Sequence, residues 1–498
     1  MNQFGVVKDG KRRLLMDRSV PGRIGTTLPP LDVPIQTLPS PELLRNELEM
    51  PEVSESELVR YFSQISQFNF SIDHNFYPLG SCTMKYNPKL NDEMAGFPGM
   101  SEIHPHQPEG TVQGALQLMY ELQRILAEIT GMAMTGLAPM AGAEGELAGM
   151  LMTRAYHLDR GEPGRTKVLI PDSAHGTNPA SASMAGFEVV EIPSDSNGNT
   201  DIEALKFAVG NDLAGLMLTQ PSTLGLFDTN ITEVVQIIRN AGGILYGDGA
   251  NLNALLGRVK PGELGFDVIH SNLHKTFTQP HGGGGPGAGA VMVGKRLVPY
   301  LPTPVVEKIE EPNGVARYIL GKPEKTIGRM GGFHGNFGAL VRAYSYIRTL
   351  GDQGIAQVSE DAVINANYIM SQLKDVYELP YERTCMHEVV LSARKLKRDY
   401  GVSALDVCKR LIDYGIHPPT MYFPLVVEDA LMIEPTETES VETLDHFIDV
   451  MKKIAVEAKC NPDLLHEAPH NAPNSRLDEV AAVRRPDLRW KRSSANIQ

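Results

Sequence analysis

Short apolar runs recur along the middle of the chain, at 167–170, 188–192, 215–219, 243–246, 267–270 and 288–293. Each has the length of a strand, and the stretches between them carry helical spacing. Strands alternating with helices predict a mainly parallel sheet covered on both faces. Ligands on such sheets gather at the carboxyl ends of the strands. Between the runs, Leu147, Leu151, Ala155 and Leu158 repeat at three and four, which predicts a helix with that stripe as its apolar face. The α/β pattern spans 111–340. A smaller α+β region is expected over 341–465, with a helix near 403–414. There Ser403 and Asp406 make a capping pair, Cys408, Leu411 and Ile412 share a face, and Gly415 stops the helix. Residues 1–110 are Pro-rich with short helical pieces and read as an arm or cap, and 466–498 as a tail. No repeat of solenoid period is present.

Composition narrows the class. A chain of 498 residues suits two or three domains, and a net charge of -14 argues against nucleic acid as a partner. No apolar stretch is long enough to span a bilayer. The first 23 residues hold six Lys/Arg together with Asp9 and Asp17, without an apolar core, so no targeting peptide is expected. Cys82, Cys385, Cys408 and Cys460 have no metal-type spacing, which favours reduced thiols in a cytoplasm and no metal site. The basic end, Arg484-Arg485 and Arg489-Trp490-Lys491-Arg492, reads as a solvated tail or a docking segment.

Candidate chemistry sits at the strand exits. Lys275 follows the 267–270 run and precedes Pro280-His281-Gly282-Gly283-Gly284-Gly285-Pro286. Alone it is a loop lysine beside a flexible turn; a lysine that forms a Schiff base needs such a setting, held against a planar cofactor. Asp248 ends the 243–246 run, either as a helix cap or as the carboxylate that keeps a pyridoxal-phosphate ring nitrogen protonated. Gly142, Ala143 and Glu144 open a helix whose free N–H groups suit a phosphate. His175 leaves the 167–170 run among small residues, fitted either to a structural role or to stacking and proton transfer.

These motifs, Asn272-Leu273-His274-Lys275-Thr276-Phe277, 280–287, 173–182 and Tyr77-Pro78-Leu79-Gly80-Ser81-Cys82-Thr83-Met84-Lys85, resemble those of the P-protein family of the glycine cleavage system, glycine dehydrogenase (decarboxylating). Cys385-Met386-His387-Glu388, His417-Pro418-Pro419-Thr420-Met421-Tyr422-Phe423-Pro424 and Arg476-Leu477-Asp478-Glu479 add to the likeness, which runs from near Ser19 to near Trp490. His106 and Val389 stand where the family pattern leads one to look for phenylalanine, which touches wall packing only. The length matches one half of the fused enzyme, the half that carries the lysine, and so resembles subunit 2 of the split form.

The resemblance implies a fold-type-I pyridoxal-phosphate-dependent transferase fold and glycine decarboxylation. The aminomethyl group then passes to the lipoyl arm of H-protein and carbon dioxide is released. It implies a separate subunit 1 and a heterotetramer of two heterodimers. The expected catalytic residues are Lys275, His175 and Asp248. The expected cofactor set is Gly142, Ala143, Glu144, His175, Asn178, Asp248, Ala250, His274 and Lys275, with Ser81, Cys82 and Thr83 toward substrate. An arginine clamp would stabilise the substrate carboxylate more than the departing neutral product, so a weaker, hydroxyl-rich hold is expected. A stand-alone pyridoxal-phosphate amino-acid decarboxylase is the alternative, and a non-catalytic scaffold subunit is the alternative of another class.

Overall fold

A computed structural model describes residues 14–45, 48–279, 287–312 and 314–489. The glycine run 282–285 and the Trp490–Arg492 part of the basic tail lie outside the described residues. The chain forms two compact units, Ile72–His470 and the pair of segments Met1–Ser71 and Asn471–Gln498. Residues 72–110, read from the sequence as part of the arm, thus group with the larger unit.

In that unit a seven-stranded sheet has the order β1-β7-β6-β5-β4-β2-β3. Its strands are β1 Met134–Gly136, β2 Lys167–Pro171, β3 Glu188–Ile192, β4 Leu213–Thr219, β5 Ile244–Gly249, β6 Val268–Asn272 and β7 Gly289–Val293. β2 to β6 pair in parallel, while β7 runs antiparallel to β6 and β1 antiparallel to β7. Successive side chains of a strand point to opposite faces. Accordingly Leu169, Leu216, Leu245 and Ile269 enter one core cluster, with Leu122 and Leu126 of the Gln113–Thr130 helix. Val168, Met217, Ile244, Tyr246 and Val268 enter the other. Both faces are covered over the central strands β4 to β7, which are buried throughout, whereas the edge strand β3 is exposed at Glu188 and Glu191.

The Gly142–Asp159 helix lies on the second face, but not by the stripe expected. Leu147, Leu151 and Ala155 are half-buried and Leu158 is exposed; the buried line is Gly142, Gly145, Gly149, Met152 and Thr153. Close approach explains the difference. A Cβ on Gly149 would stand 2.5 Å from the Tyr246 ring, and one on Gly145 2.9 Å from the Gly289 carbonyl oxygen. Glycines let the helix backbone rest on the sheet, so strand side chains supply the apolar volume and the leucines move to the flank.

A second core, including Leu391, Leu411, Leu431, Leu444 and Phe447, surrounds a three-stranded sheet. Its strands β10 Val389–Ser392, β11 Thr420–Met421 and β12 Ala430–Ile433 have the order β10-β12-β11. β8 Val305–Glu310 and β9 Ala316–Gly321 make a separate hairpin. The Ala404–Asp413 helix has the Ser403/Asp406 capping box expected, and Gly415 follows with φ 76°. In the other unit the Glu55–Ser66 helix is capped in the same way by Ser54 and Glu57. Among the described residues no helix is long and apolar enough to cross a membrane.

Candidate active site

Asp248 ends β5 with its side chain buried. Asn178 Nδ2 donates to its Oδ2 at 3.0 Å, and the Ala250 N–H to its Oδ1 at 2.9 Å. His270 Nε2, on the neighbouring strand β6, lies 3.5 Å from Oδ1. Burial works against the ionised form, but His270, the Ala250 N–H, Lys275 and Asn178 outweigh it and hold the carboxyl below its ordinary range. Asp248 is therefore a buried carboxylate whose neighbours keep it charged.

A second buried acid stands beside it. Glu146 takes a hydrogen bond from Ser181 Oγ at 3.3 Å, and its own pKa is raised, by burial and by the charge of Asp248. Two neighbouring buried carboxyls do not both ionise easily, and here the upward shift falls on Glu146 while Asp248 is held below its ordinary range. Thr177 Oγ1 lies 2.8 Å from Glu146 Oε1 and 2.8 Å from His175 Nδ1. The Thr177 N–H also donates to Nδ1, at 3.2 Å. Nδ1 is thus an acceptor, and the neutral ring carries its proton on Nε2. Burial keeps His175 below its usual pKa; Asp248 pulls the other way and Lys275 adds to the lowering.

Lys275 is half-buried on the Leu273–Thr276 turn of helix that starts where β6 ends. Its position follows from the strand before it: β5 and β6 are adjacent and parallel, so Asp248 and Lys275 leave the sheet at the same, carboxyl, end. Next to them the Gly142–Asp159 helix begins with no side-chain cap. A Cβ on Gly142 would fall 2.2 Å from Asn272 Nδ2, so the helix start lies against the end of β6. Ala143 is exposed there, and Glu144 accepts from the Met140 N–H at 2.5 Å. His274 is half-buried and receives the Ala288 N–H on Nδ1 at 3.3 Å.

The segment 77–85 is threaded between the two sheets. Leu79 bridges to Ile433 of β12. Ser81 and Thr83 have positive φ, 62° and 47°, unusual for residues other than glycine. Their N–H groups donate to Glu388 Oε2 at 2.8 Å and to Glu434 Oε2 at 3.0 Å, which holds the turn. Cys82 lies between them, half-buried; burial raises its thiol pKa, Lys275 lowers it, and Glu434 and Glu388 raise it further. The Lys85 Nζ, almost wholly buried, donates to Asn253 Oδ1 at 2.7 Å, the Thr276 carbonyl at 3.1 Å and Glu437 Oε1 at 2.6 Å. Lys85 thereby ties this segment to the turn that carries Lys275.

Residues 358–471 match the family model described as glycine dehydrogenase, C-terminal domain. The chain is 55% identical over 482 residues to "Probable glycine dehydrogenase (decarboxylating) subunit 2" of Caldanaerobacter subterraneus subsp. tengcongensis, covering 96% of this chain and 98% of that one. It is 56% identical over 483 residues to the protein of the same name from Halalkalibacterium halodurans, with the same coverage. The chain belongs to the glycine dehydrogenase (decarboxylating) subunit 2 family. Among solved structures it is similar to a glycine decarboxylase (P-protein) of the glycine cleavage system in inhibitor-bound form. The TM-score is 0.71 at 19% identity, over 83% of this chain and 93% of that one. It is also similar to the glutamate decarboxylase of Lactobacillus brevis CGMCC 1306, with TM-score 0.61 and 14% identity over 87% and 96%. These likenesses show the fold, which is the fold-type-I pyridoxal-phosphate-dependent one.

In this member of the glycine dehydrogenase subunit 2 family, Asn178, Asp248 and Ala250 are joined by hydrogen bonds, with His175 and Lys275 near enough to act on Asp248 or be acted on by it. Ser81 and Thr83 face the site through their backbone N–H groups, and the groups they hold are glutamates. Glu146, His270, Lys85, Glu388 and Glu434 escaped the sequence reading as functional side chains. For the last two a signal existed: an acid directly flanks a strongly apolar run at Glu388-Val389-Val390-Leu391 and at Leu431-Met432-Ile433-Glu434.

Proposed function

We propose that this chain binds pyridoxal 5'-phosphate through Lys275 and decarboxylates glycine, passing the aminomethyl group to the lipoyl disulfide of H-protein. The observation that carries the reading is Asp248, a buried carboxylate kept ionised at the end of β5, one strand away from Lys275. The residues present fit the cofactor. Asp248 would hold a proton on the ring nitrogen, Lys275 would carry the cofactor covalently, and the uncapped start of the Gly142–Asp159 helix would receive the phosphate on the N–H groups of Gly142, Ala143 and Glu144. Asn178, whose Oδ1 has no hydrogen-bond partner, has acceptor capacity left for the ligand or its water. Ala250 orients Asp248, and His274 lies beside Lys275. When bound, the cofactor supplies an electron sink for negative charge on the substrate Cα. His175 would stack on the ring and move a proton through Nε2.

The relatives' designation as a subunit 2 supports a separate subunit 1, and an exposed apolar arm supports it independently. Ile24, Leu28 and Ile35 are 73%, 84% and 86% exposed, more than a monomer surface ordinarily leaves in one segment. We assign that arm to contact with the partner chain and two such heterodimers to the working assembly. The four free cysteines, two of them buried, fit a reducing cytoplasm.

The test is borohydride reduction of the yellow holoenzyme followed by peptide mapping, beside exchange of carbon dioxide with glycine. Label on Lys275, its loss together with exchange in Lys275→Ala, and dependence on subunit 1 and lipoylated H-protein are expected. Full exchange by this chain alone, unchanged by either partner, would instead establish a stand-alone decarboxylase.

A further inference from the structure

Three side chains form a hydrogen-bonded file that ends at His175. Glu146, on the Gly142–Asp159 helix, is buried. Its Oε2 accepts from Ser181 Oγ at 3.3 Å, and its Oε1 lies 2.8 Å from Thr177 Oγ1. Thr177 opens the Thr177–Met184 helix, and the same hydroxyl oxygen lies 2.8 Å from His175 Nδ1. The file runs from a buried acid, through one hydroxyl, to an exposed imidazole.

Counting hydrogens along it restricts the proton states. A hydroxyl carries one hydrogen, so Thr177 donates to Glu146 or to His175 but not to both at once. If it donates to Glu146, Nδ1 must bring a hydrogen of its own to the Thr177 oxygen. If it donates to Nδ1, Glu146 must bring that hydrogen as a carboxylic acid. The Thr177 N–H also points at Nδ1, from 3.2 Å, and meets a lone pair only in the second arrangement. The groups around Glu146 act in the same direction. Burial and the charge of Asp248 on β5 favour its neutral form, against His270 on β6 and the Thr177 and Ser181 hydroxyls. Tyr246 on β5, its hydroxyl bonded to His270, has its own pKa raised and adds no charge. At the other end of the file, burial and Lys275 keep His175 neutral against the pull of Asp248. A neutral imidazole is a poor acid, because losing its Nε2 hydrogen leaves an anionic ring. It becomes a competent donor when another hydrogen reaches Nδ1 at the same time.

We propose that Glu146 is the proton reserve of His175, lending a hydrogen to Nδ1 through Thr177 as His175 gives one up from Nε2. The inference rests on the reading of His175 and Lys275 above and deepens it. The acceptor is the sulfur set free as thiolate when the lipoyl disulfide opens. In that step the electron pair left by the Cα–carboxyl bond forms a bond from Cα to one sulfur. The S–S bond breaks with its pair on the other sulfur, so the disulfide is reduced by those two electrons. The Nε2 hydrogen passes to the thiolate, the Thr177 hydrogen to Nδ1 and the Glu146 hydrogen to Thr177. One proton leaves the file, a carboxylate remains at Glu146, and His175 stays neutral throughout. Asp248 repels that carboxylate, so a proton taken up at Nε2 from solvent sends the others back along the file before the next turnover.

The test joins a spectrum to a rate. Nitrogen-15 resonances of the full chain labelled in histidine, with and without pyridoxal 5'-phosphate, report the tautomer of His175 directly, its signals assigned by their loss in His175→Gln. Nε2 protonated and Nδ1 bare is the expected state, and the opposite tautomer in wild type would overturn the proposal. Thr177→Val removes the bridge, so the tautomer preference should fall away. Transfer of the aminomethyl group to lipoylated H-protein in the complete assembly should drop by at least about tenfold, and Thr177→Ser should restore both. Glu146→Gln keeps an N–H donor for Thr177 and should keep the tautomer. It has no proton to lend, so transfer should again drop by at least about tenfold with the glycine KM little changed. A smaller drop in Glu146→Gln, or an unchanged tautomer in Thr177→Val, would overturn the proposal and leave Glu146 a packing acid. Should Glu146→Gln unfold, the two Thr177 variants decide by the same criteria. No transfer by the wild-type assembly would overturn the glycine reading and the lent proton with it, whereas a wild-type rate kept in Glu146→Gln removes the reserve alone.

Discussion

Replacing Asp248 by Asn separates a structural role from a chemical one, because the surroundings can absorb the amide. The carboxylate accepts from Ala250 N–H on Oδ1 and from Asn178 Nδ2 on Oδ2. An amide keeps the first bond through its oxygen. Its nitrogen would face the Asn178 NH2 group, but Asn178 Oδ1 has no partner, so a turn of that amide restores an acceptor. The net cost to folding should be about 1 kcal/mol or less, one rearranged neutral hydrogen bond. The chemistry has no such rescue. A neutral amide cannot hold the proton on a ring nitrogen, and the loss of a charge-assisted hydrogen bond of about 1.5–3 kcal/mol corresponds to roughly ten- to over a hundredfold in rate. The assay is glycine–carbon dioxide exchange by Asp248→Asn in the complete assembly, with cofactor content and urea unfolding measured on the same samples. Cofactor retained, stability nearly unchanged and exchange down at least about tenfold is the expected set. An exchange rate lowered by less than that would mean Asp248 serves only as a turn and helix cap.

Other perturbations test the frame around the site. Gly149→Ala places a Cβ 2.5 Å from the buried Tyr246 ring, whose hydroxyl is bonded to His270. It should destabilise the larger unit by roughly 1–3 kcal/mol in urea unfolding, and an unchanged midpoint would refute the close helix–sheet contact. Glu439 has its pKa raised by burial to about 7 from 4.5. The fold favours its neutral form, so stability is full below pH 4.5, declines as the unfolded chain ionises toward pH 7, and is level above. Glu439→Gln should therefore stabilise at pH 8 by roughly 1–2 kcal/mol, after discounting for solvent screening, and change nothing at pH 4; equal effects at both would refute it. Leu28→Asp with Ile35→Asp should weaken association with subunit 1 in sedimentation while leaving this chain folded, and undiminished association would remove the arm from the interface.

What the sequence disclosed about this site follows from how each part is assembled. The placement of Asp248 and Lys275 at the carboxyl end of the sheet is legible because one lies at the end of β5 and the other on the turn after β6, and the rule that parallel strands gather ligands at their carboxyl ends needs only local pattern. The strand runs between residues 167 and 293 were readable because strands buried on both faces are continuously apolar, the edge strand β3 apart, where Glu188 and Glu191 are exposed. β1 was not: three residues pairing antiparallel to β7 alone, with Thr135 at their centre, carry no periodic signal. The Leu147–Leu158 stripe misled because helix periodicity reports where large apolar residues lie, and here the contact face is made of residues too small to register as hydrophobic. Glu146 was hidden by that same error, since it lies beside the glycine line that faces the sheet. Glu388 and Glu434 are a different case. Their meeting depends on the register of β10 against β12, and their hydrogen-bond donors come from Ser81 and Thr83, some three hundred residues upstream by the separations of 307 and 351. No local pattern encodes a three-way junction of that kind. It arises only when the 77–85 segment is drawn between the two sheets, with Lys85 fastened to the Thr276 carbonyl beside Lys275. The part of the site proposed for the cofactor is thus written in contiguous motifs, whereas the junction of 77–85 with Glu388 and Glu434 is a product of tertiary register. That division explains why Lys85, at the end of 77–85, bears on the turn that carries Lys275 although no sequence motif joins the two.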